Sequence, residues 1–468
     1  MIDLKKIRKI YIIGIKGSGV VAIAEILKSM GVEISGSDVS EKFFTDEVLQ
    51  KLGINYFEEF SAKNIPADAD LILYSTAYNA ENNIEFKTAR EKNIPMISYP
   101  EILAELFNQK YGIAVCGTHG KTTTSAMLAF VLQKVGVSPT AVIGSRVRQW
   151  GTNAIVGKSE HFIIEADEFQ NKLKLYEPKA VILTSIDYDH PDFFKTFEDY
   201  KKAFENFVTK IPKIGFLVVW GESVSTLAIS KNAKCNVLSY GFLKDCDYKI
   251  SNYQFPIFND QIFNSSFQSF DVSYRNKNLG NFKIQLIGKH NALNAAAVIA
   301  TCYKLNFNMT KVRSALAEFE GTSRRFEYIG EKNGAILIDD YAHHPEEIKA
   351  TLKVAREIYP EKNIIAVFHP HSYSRTEALL QDFAQSFDDS DQVIVLDIYG
   401  SARENTGKVS SLDLVKLINK YSPAKADYIP TINETVEFLQ DKIGANDVVI
   451  AIGAGNVWEV ARKLKDEL

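Results

Sequence analysis

Residues 114–128 read AVCGTHGKTTTSAML, with two glycines, a histidine, a lysine and five hydroxyl side chains between an apolar run and a helix-forming stretch. A corner of this kind binds phosphate. Glycines let backbone N–H groups approach anionic oxygens, the helix start adds its positive end, the lysine reaches the terminal phosphates, and the next hydroxyl can ligate Mg²⁺. Gly117, Thr118, His119, Gly120, Lys121, Thr122 and Thr123 are therefore candidates to hold ATP or GTP. The motif is shorter than the usual G-x₄-G-K-[ST], because Val115 stands where that pattern wants glycine.

Further on, IIEADE places Glu165, Asp167 and Glu168 at the end of an apolar run, and SIDYDHPDFF places Asp187, Asp189, His190 and Asp192 at the end of the next. Acidic strand ends beside a phosphate loop favour a site for a hard cation, since phosphoryl transfer needs one to bridge the terminal phosphates. A second glycine-rich corner, GIKGSGV, carries Gly14, Gly17 and Gly19, with Asp38 closing the following strand. It resembles a dinucleotide fingerprint with altered spacing, so it predicts a phosphate-bearing ligand whose ribose Asp38 contacts, NAD being one option. GKHNALN sets His290, Asn291 and Asn294 at a helix start, where an amide either caps the helix or binds nucleotide. DDYAHHPEEI groups Asp340, Tyr341, His343 and His344 before Pro345, which suits a first helical position. A substrate role is favoured over zinc there, since no third ligand follows at a recognised spacing. FHPHSYSRT offers His369, His371 and Arg375, a candidate clamp for a carboxylate.

The elements around these residues alternate strand and helix three times. KIYIIGI, VEISGSD and ADLILYSTA read as strands with VVAIAEILKSMG as a helix, and the pattern restarts at YGIAVCG and again beyond residue 322. A chain of 468 residues exceeds what one core sustains, about 250–300 residues. Boundaries are expected near 108 and 322, giving domains over 1–108, 109–322 and 323–468. Residues 215–285, with short strand-like pieces and poor helical periodicity, predict an antiparallel excursion in the second domain. A formal charge of −4 gives no general attraction for nucleic acid or an anionic membrane. The apolar start IYIIGI stops at Lys16, and no run of 18 apolar residues occurs, so a cytoplasmic protein is expected. Four scattered cysteines suggest neither a zinc site nor a disulfide framework.

GIKGSGV, GTHGKTTT, EADE, DYDH, GKHNALNA, GTSRRFE and DDYAHHP follow one another in the order and at the spacing of the Mur ligases, and the resemblance covers essentially the whole chain. It implies an α/β protein of three domains: a Rossmann-like N-terminal domain for a UDP-sugar, a central P-loop ATPase domain with a mixed sheet, and a Rossmann-like C-terminal domain that brings the amino acid. The activity implied is ATP-dependent amide ligation through an acyl phosphate in peptidoglycan precursor synthesis, with UDP-N-acetylmuramate, L-alanine and ATP as substrates and Mg²⁺ as cofactor. The alternative within the family attaches a recycled murein tripeptide to the same sugar. A NAD-dependent oxidoreductase and a stand-alone P-loop NTPase are the alternatives from other classes.

By motif match, Lys121 stabilises the transferring phosphoryl group, and Thr122, Glu165 and His190 ligate Mg²⁺. His290, Asn291, Arg325 and Asp340 join the loop in holding ATP, while Tyr341, His371 and Arg375 face the amino acid. The UDP-sugar falls to Gly14, Gly17, Gly19, Asp38, Ser75, Thr152 and Asn153, and His343 or His344 takes the proton of the attacking amine. A monomer or weak homodimer is implied. The chain departs from the family pattern at Lys16 and Val20, which replace Gly and Met of the first loop, and at EADEFQNK, which replaces EADESDxSF.

Overall fold

The computed structural model describes residues 4–256, 267–400 and 407–466, arranged about three sheets. The first sheet runs, edge to edge, Asn55–Phe57, Glu33–Ser37, Lys9–Ile13, Leu71–Tyr74 and Met96–Ser98, all parallel. Lys9–Ile13 is apolar and almost wholly buried because helices cover both faces of a parallel sheet. The strand order reverses at Lys9–Ile13, the place where such sheets open a ligand crevice. Helix Ser18–Ser29 follows directly and buries seven apolar residues.

The second sheet has ten strands and is centred on Tyr111–Cys116. His161–Glu165 pairs with this strand on one side and Ala180–Leu183 on the other, both in parallel. That register brings the two acid-ended strands to either flank of the phosphate loop. Helix Lys121–Lys134 leaves the loop and is buried on nearly every side, which explains why its sequence lacks a polar face. Phe107, in helix Tyr99–Asn108, packs edge-on against Phe162 and Tyr176 with ring centroids 5.8 and 5.7 Å apart, so the first two sheets share one apolar cluster.

The expectation for residues 215–285 needs correction. Phe216–Trp220, Asn236–Gly241 and the start of Tyr248–Gln254 continue the sheet in parallel, and only Gln268–Tyr274 and Lys277–Ile284 add antiparallel strands. The crossover helix Val224–Ser230 spans seven residues, too short to show a helical period in the sequence.

The third sheet has the order Glu327–Lys332, Ala335–Asp340, Asp447–Ile452, Asn363–Phe368, Gln392–Val395 and Ala426–Tyr428, with the first strand antiparallel. DDYAHHP and PHSYSRT leave strands separated by one neighbour. Both loops therefore open on the same edge. No described helix is long and apolar enough to cross a membrane.

Candidate functional site

The phosphate loop is fixed by its glycines and by the strand beside it. Gly117 has φ +128°, and a β-carbon there would stand 2.4 Å from Thr184 Oγ1. Gly120 has φ +77°, and its β-carbon would meet Asn294 Oδ1 at 2.6 Å. The Thr118 N–H donates to the Ser185 carbonyl (2.8 Å), the His119 N–H donates to Ser185 Oγ (2.8 Å), and the Asp187 N–H donates to Thr118 Oγ1 (2.8 Å). Lys121 donates to the carbonyls of Gly117 (2.5 Å) and Thr118 (3.1 Å) and lies 3.2 Å from the buried carboxylate of Glu168. Glu168 in turn accepts from the hydroxyl of Tyr200 (2.8 Å). Burial opposes the charge on Lys121, but Glu168, Asp167, Glu165 and Asp189 outweigh it and raise its pKa.

Two acidic groupings flank this lysine. Thr122 Oγ1 donates to Glu165 Oε1 (2.8 Å), and Glu165 Oε2 accepts from the Gly144 N–H (2.7 Å). Burial raises the pKa of Glu165. Asp167, Glu168 and His190 form a second grouping, with potential ligand atoms within 4.8 Å of one another. The expected trio of Thr122, Glu165 and His190 thus divides between the two. The donors are chiefly hydroxyl and carboxylate oxygens, the set a hard cation such as Mg²⁺ requires.

Beside the loop lies a cavity of about 360 Å³ lined by His119, Gly120, Thr122, Thr123, His290, Asn291, Arg325 and Asp340, all expected from the sequence to hold nucleotide. Gly117, Thr118 and Lys121 lie in the same loop outside that lining. Burial, then the neighbouring Arg325, lowers the pKa of His290 to about 4, so its ring is neutral. The capping alternative for GKHNALN does not hold: helix Lys289–Lys304 has Gly288 at its N-cap with no side-chain cap, and Asn291 Nδ2 donates to the Ile287 carbonyl. Asp340 accepts the N–H groups of Phe326 and Ala342, both at 2.8 Å, and so ties the segment entering the third sheet to its strand. The sequence reading did not identify Trp220, Tyr240, Thr351 or Glu347 as part of this cavity, nor Tyr200 beneath the loop. Trp220 and Tyr240 end parallel strands, which is the signal that could have found them. The buried indole N–H of Trp220 has no hydrogen-bond partner among the described residues.

The loops of the third sheet close over this mouth. His119 lies 3.2 Å from Asp187 on one side and 3.2 Å from Glu347 on the other. Burial disfavours the charged ring, but Asp187 and Glu347 outweigh it and raise its pKa to about 9. Arg375 Nε donates to Asp189 Oδ1 (2.8 Å) in an ion pair with both side chains nearly inaccessible. Expected to clamp an incoming carboxylate, Arg375 is instead paired with the second sheet's own acid. His371 contacts Arg375 and stacks on Tyr399, with centroids 5.6 Å apart. Arg325 sits 5.3 Å from the centroid of the Tyr341 ring.

Neither candidate base fits its expected role. His344 caps its helix by accepting the Glu346 N–H at Nδ1 (3.4 Å), which leaves Nε2 to donate to the Tyr188 carbonyl (3.2 Å). His343 turns Nδ1 to the Tyr341 carbonyl, and burial lowers its pKa to about 3, too low to take an amine proton effectively.

At the first glycine corner Asp38 is not presented to a ribose. It accepts the N–H groups of Lys16 (2.6 Å) and Val39 (2.8 Å) and the hydroxyl of Tyr78 (3.4 Å). The ammonium of Lys16 donates to the carbonyls of Val39 (2.8 Å) and Glu41 (2.9 Å) and pairs with Asp46 (3.1 Å) and Glu58 (3.3 Å). Gly14 lies against Ser75 and Tyr78, and Gly17 donates its N–H to the Gly14 carbonyl. Thr152 and Asn153, expected at the sugar, sit where the second sheet meets the first helix. Thr152 donates to Glu25 (2.9 Å), and Asn153 donates to the carbonyls of Ser18 and Ile143 (both 2.9 Å).

Three Mur ligase families match consecutive stretches of the sequence: the Mur ligase family catalytic domain over residues 9–111, the Mur ligase middle domain over 115–302, and the Mur ligase glutamate ligase domain over 324–455. UDP-N-acetylmuramate--L-alanine ligase of Desulfitobacterium hafniense is 41% identical over 97% of this chain and 99% of its own. The crystal structure of UDP-N-acetylmuramate-alanine ligase from Thermotoga maritima superposes with a TM-score of 0.80 at 27% identity, covering 98% of each chain. A murein peptide ligase from Psychrobacter arcticus shares the fold, with a TM-score of 0.72 at 22% identity over 98% of each chain.

Proposed function

The chain belongs to the Mur ligase family, and from that premise we propose that it joins L-alanine to the lactyl carboxylate of UDP-N-acetylmuramate at the expense of ATP. The observation that carries this reading is the convergence of Lys121, the acidic strand ends and the third-sheet loops on one mouth, in a chain similar along its length to ligases of that activity. Neither a nicotinamide oxidoreductase nor a stand-alone NTPase accounts for all three domains.

A carboxylate does not expel oxide in favour of an amine, so the sugar's carboxylate first takes the γ-phosphoryl group of ATP. Phosphate then leaves as the amine of L-alanine attacks. Lys121 neutralises charge gathering on the transferred group, and the loop N–H groups and helix start hold the phosphates. Thr122, Glu165, Asp167, Glu168 and His190 would hold Mg²⁺, which would supply positive charge to offset that of the terminal phosphates. His290, Asn291, Arg325 and Asp340 line the nucleoside end, and the unpartnered Trp220 N–H offers it a donor. The Arg375–Asp189 and His119–Glu347 contacts hold the third sheet over the mouth and keep water from the acyl phosphate. Gly14, Gly17, Gly19 and Ser75 border the crevice for the UDP moiety.

Phosphate release, followed with UDP-N-acetylmuramate, ATP and Mg²⁺, tests the reading against L-alanine, glycine, L-serine and the murein tripeptide in parallel. L-Alanine should give the highest kcat/KM. Turnover with the tripeptide alone would overturn the amino-acid assignment.

A further inference from the structure

We propose that Tyr99 contacts the substrate, its phenol O–H donating a hydrogen bond to the sugar-borne carboxylate where the first two sheets meet; the inference rests on the ligase reading above. Tyr99 is the first residue of helix Tyr99–Asn108, immediately after the edge strand of the first sheet. Its ring folds over the first glycine corner. A β-carbon at Gly19 would lie 2.3 Å from Tyr99 Cζ and 2.5 Å from its hydroxyl oxygen, so the polar end of the ring rests on the loop. This gives a physical reason for glycine at position 19, since any side chain there would displace the phenol.

The same hydroxyl lies within the field of the second site. Burial raises its pKa, and the carboxylates of Asp167 and Glu165 raise it further, so it remains an O–H donor throughout the working range. The hydroxyl has no hydrogen-bond partner among the described residues. A substrate anchored by its diphosphate at the first corner and phosphorylated at the second must carry its carboxylate through the space between them. Approaching Glu165 and Asp167, that carboxylate is repelled by like charge. A lysine or arginine placed there would be captured by those acids. A neutral phenol escapes that capture and still donates to the incoming oxygen, and its proton stays on the phenol throughout phosphoryl transfer.

Tyr99→Phe keeps the ring and removes only the donor. A hydrogen bond to a charged acceptor supports a loss of about tenfold or more in kcat/KM for UDP-N-acetylmuramate. KM for ATP and the thermal midpoint should match wild type, which a merely structural ring would also predict, but without the loss on the sugar. A Tyr99→Phe enzyme within twofold of wild type in kcat/KM for the sugar overturns the assignment alone. A wild-type chain that releases no phosphate with this sugar overturns the ligase reading, and the assignment with it.

Discussion

Two corners of the molecule share one grammar: a buried parallel strand, a glycine-rich loop holding a lysine, then a helix. Their ammonium groups are held in opposite ways. Lys16 is itself inaccessible, with a side chain 1% exposed, and its carboxylate partners Asp46 and Glu58 are more open at 15% and 43%. Lys121 is 15% exposed, and its partner Glu168 is the one sealed away at 0%. The first arrangement is a pin that joins the loop to segments 38–46 and 56–58. The second presents a cation at an open mouth while a buried acid keeps it aimed. A lysine in a glycine-rich corner therefore says little until the burial of its partners is known.

Removing each cation separates the two roles. Lys121→Ala should lower kcat by roughly 10²–10³-fold, the range seen when a group that stabilises transition-state charge is lost. Phosphate-release kinetics on a variant with wild-type circular dichroism measures it, and an undiminished rate would end the assignment. Lys16→Met should act on stability instead, costing about 3 kcal/mol because carboxylates and carbonyls lose a buried partner. Denaturant unfolding reads that loss, and KM for ATP should not change.

The smallest effect concerns how the second corner is closed. With the His119 pKa raised from 6.5 to about 9, its protonated form contributes stability that is complete below pH 6.5 and disappears as pH rises through about 9. The contribution is roughly 1–3 kcal/mol. The thermal midpoint of wild type should fall across that window, and His119→Gln should flatten the slope. An equal slope in both proteins would locate the titration elsewhere.

The sequence revealed what is local and concealed what is assembled. GTHGKTTT is contiguous, and a strand before it with a helix after it leaves few other geometries, so the loop was readable in full. The acidic strand ends were readable as candidates, but their division into Thr122 with Glu165 and Asp167 with Glu168 and His190 depends on how the neighbouring strands twist past the loop. Glu347 and Tyr200 lie 228 and 82 residues from the loop atoms they meet, and no spacing rule connects them. Asp38 misled because its position matched a ribose-binding pattern while Lys16, two residues beyond Gly14, offered it a backbone donor. The parallel strands in 216–254 were missed because their crossovers are too short to leave a helical signature.

The anchoring of Lys16 shapes how the first domain can attract its ligand. An ammonium already balanced by Asp46 and Glu58 projects little field into the crevice, so the diphosphate of the proposed substrate would be met there chiefly by peptide dipoles at the start of helix Ser18–Ser29. Capture through such short-range dipoles responds weakly to ionic strength. On the proposed reading, this domain would select its nucleotide by shape at close quarters, without drawing polyanions in from a distance.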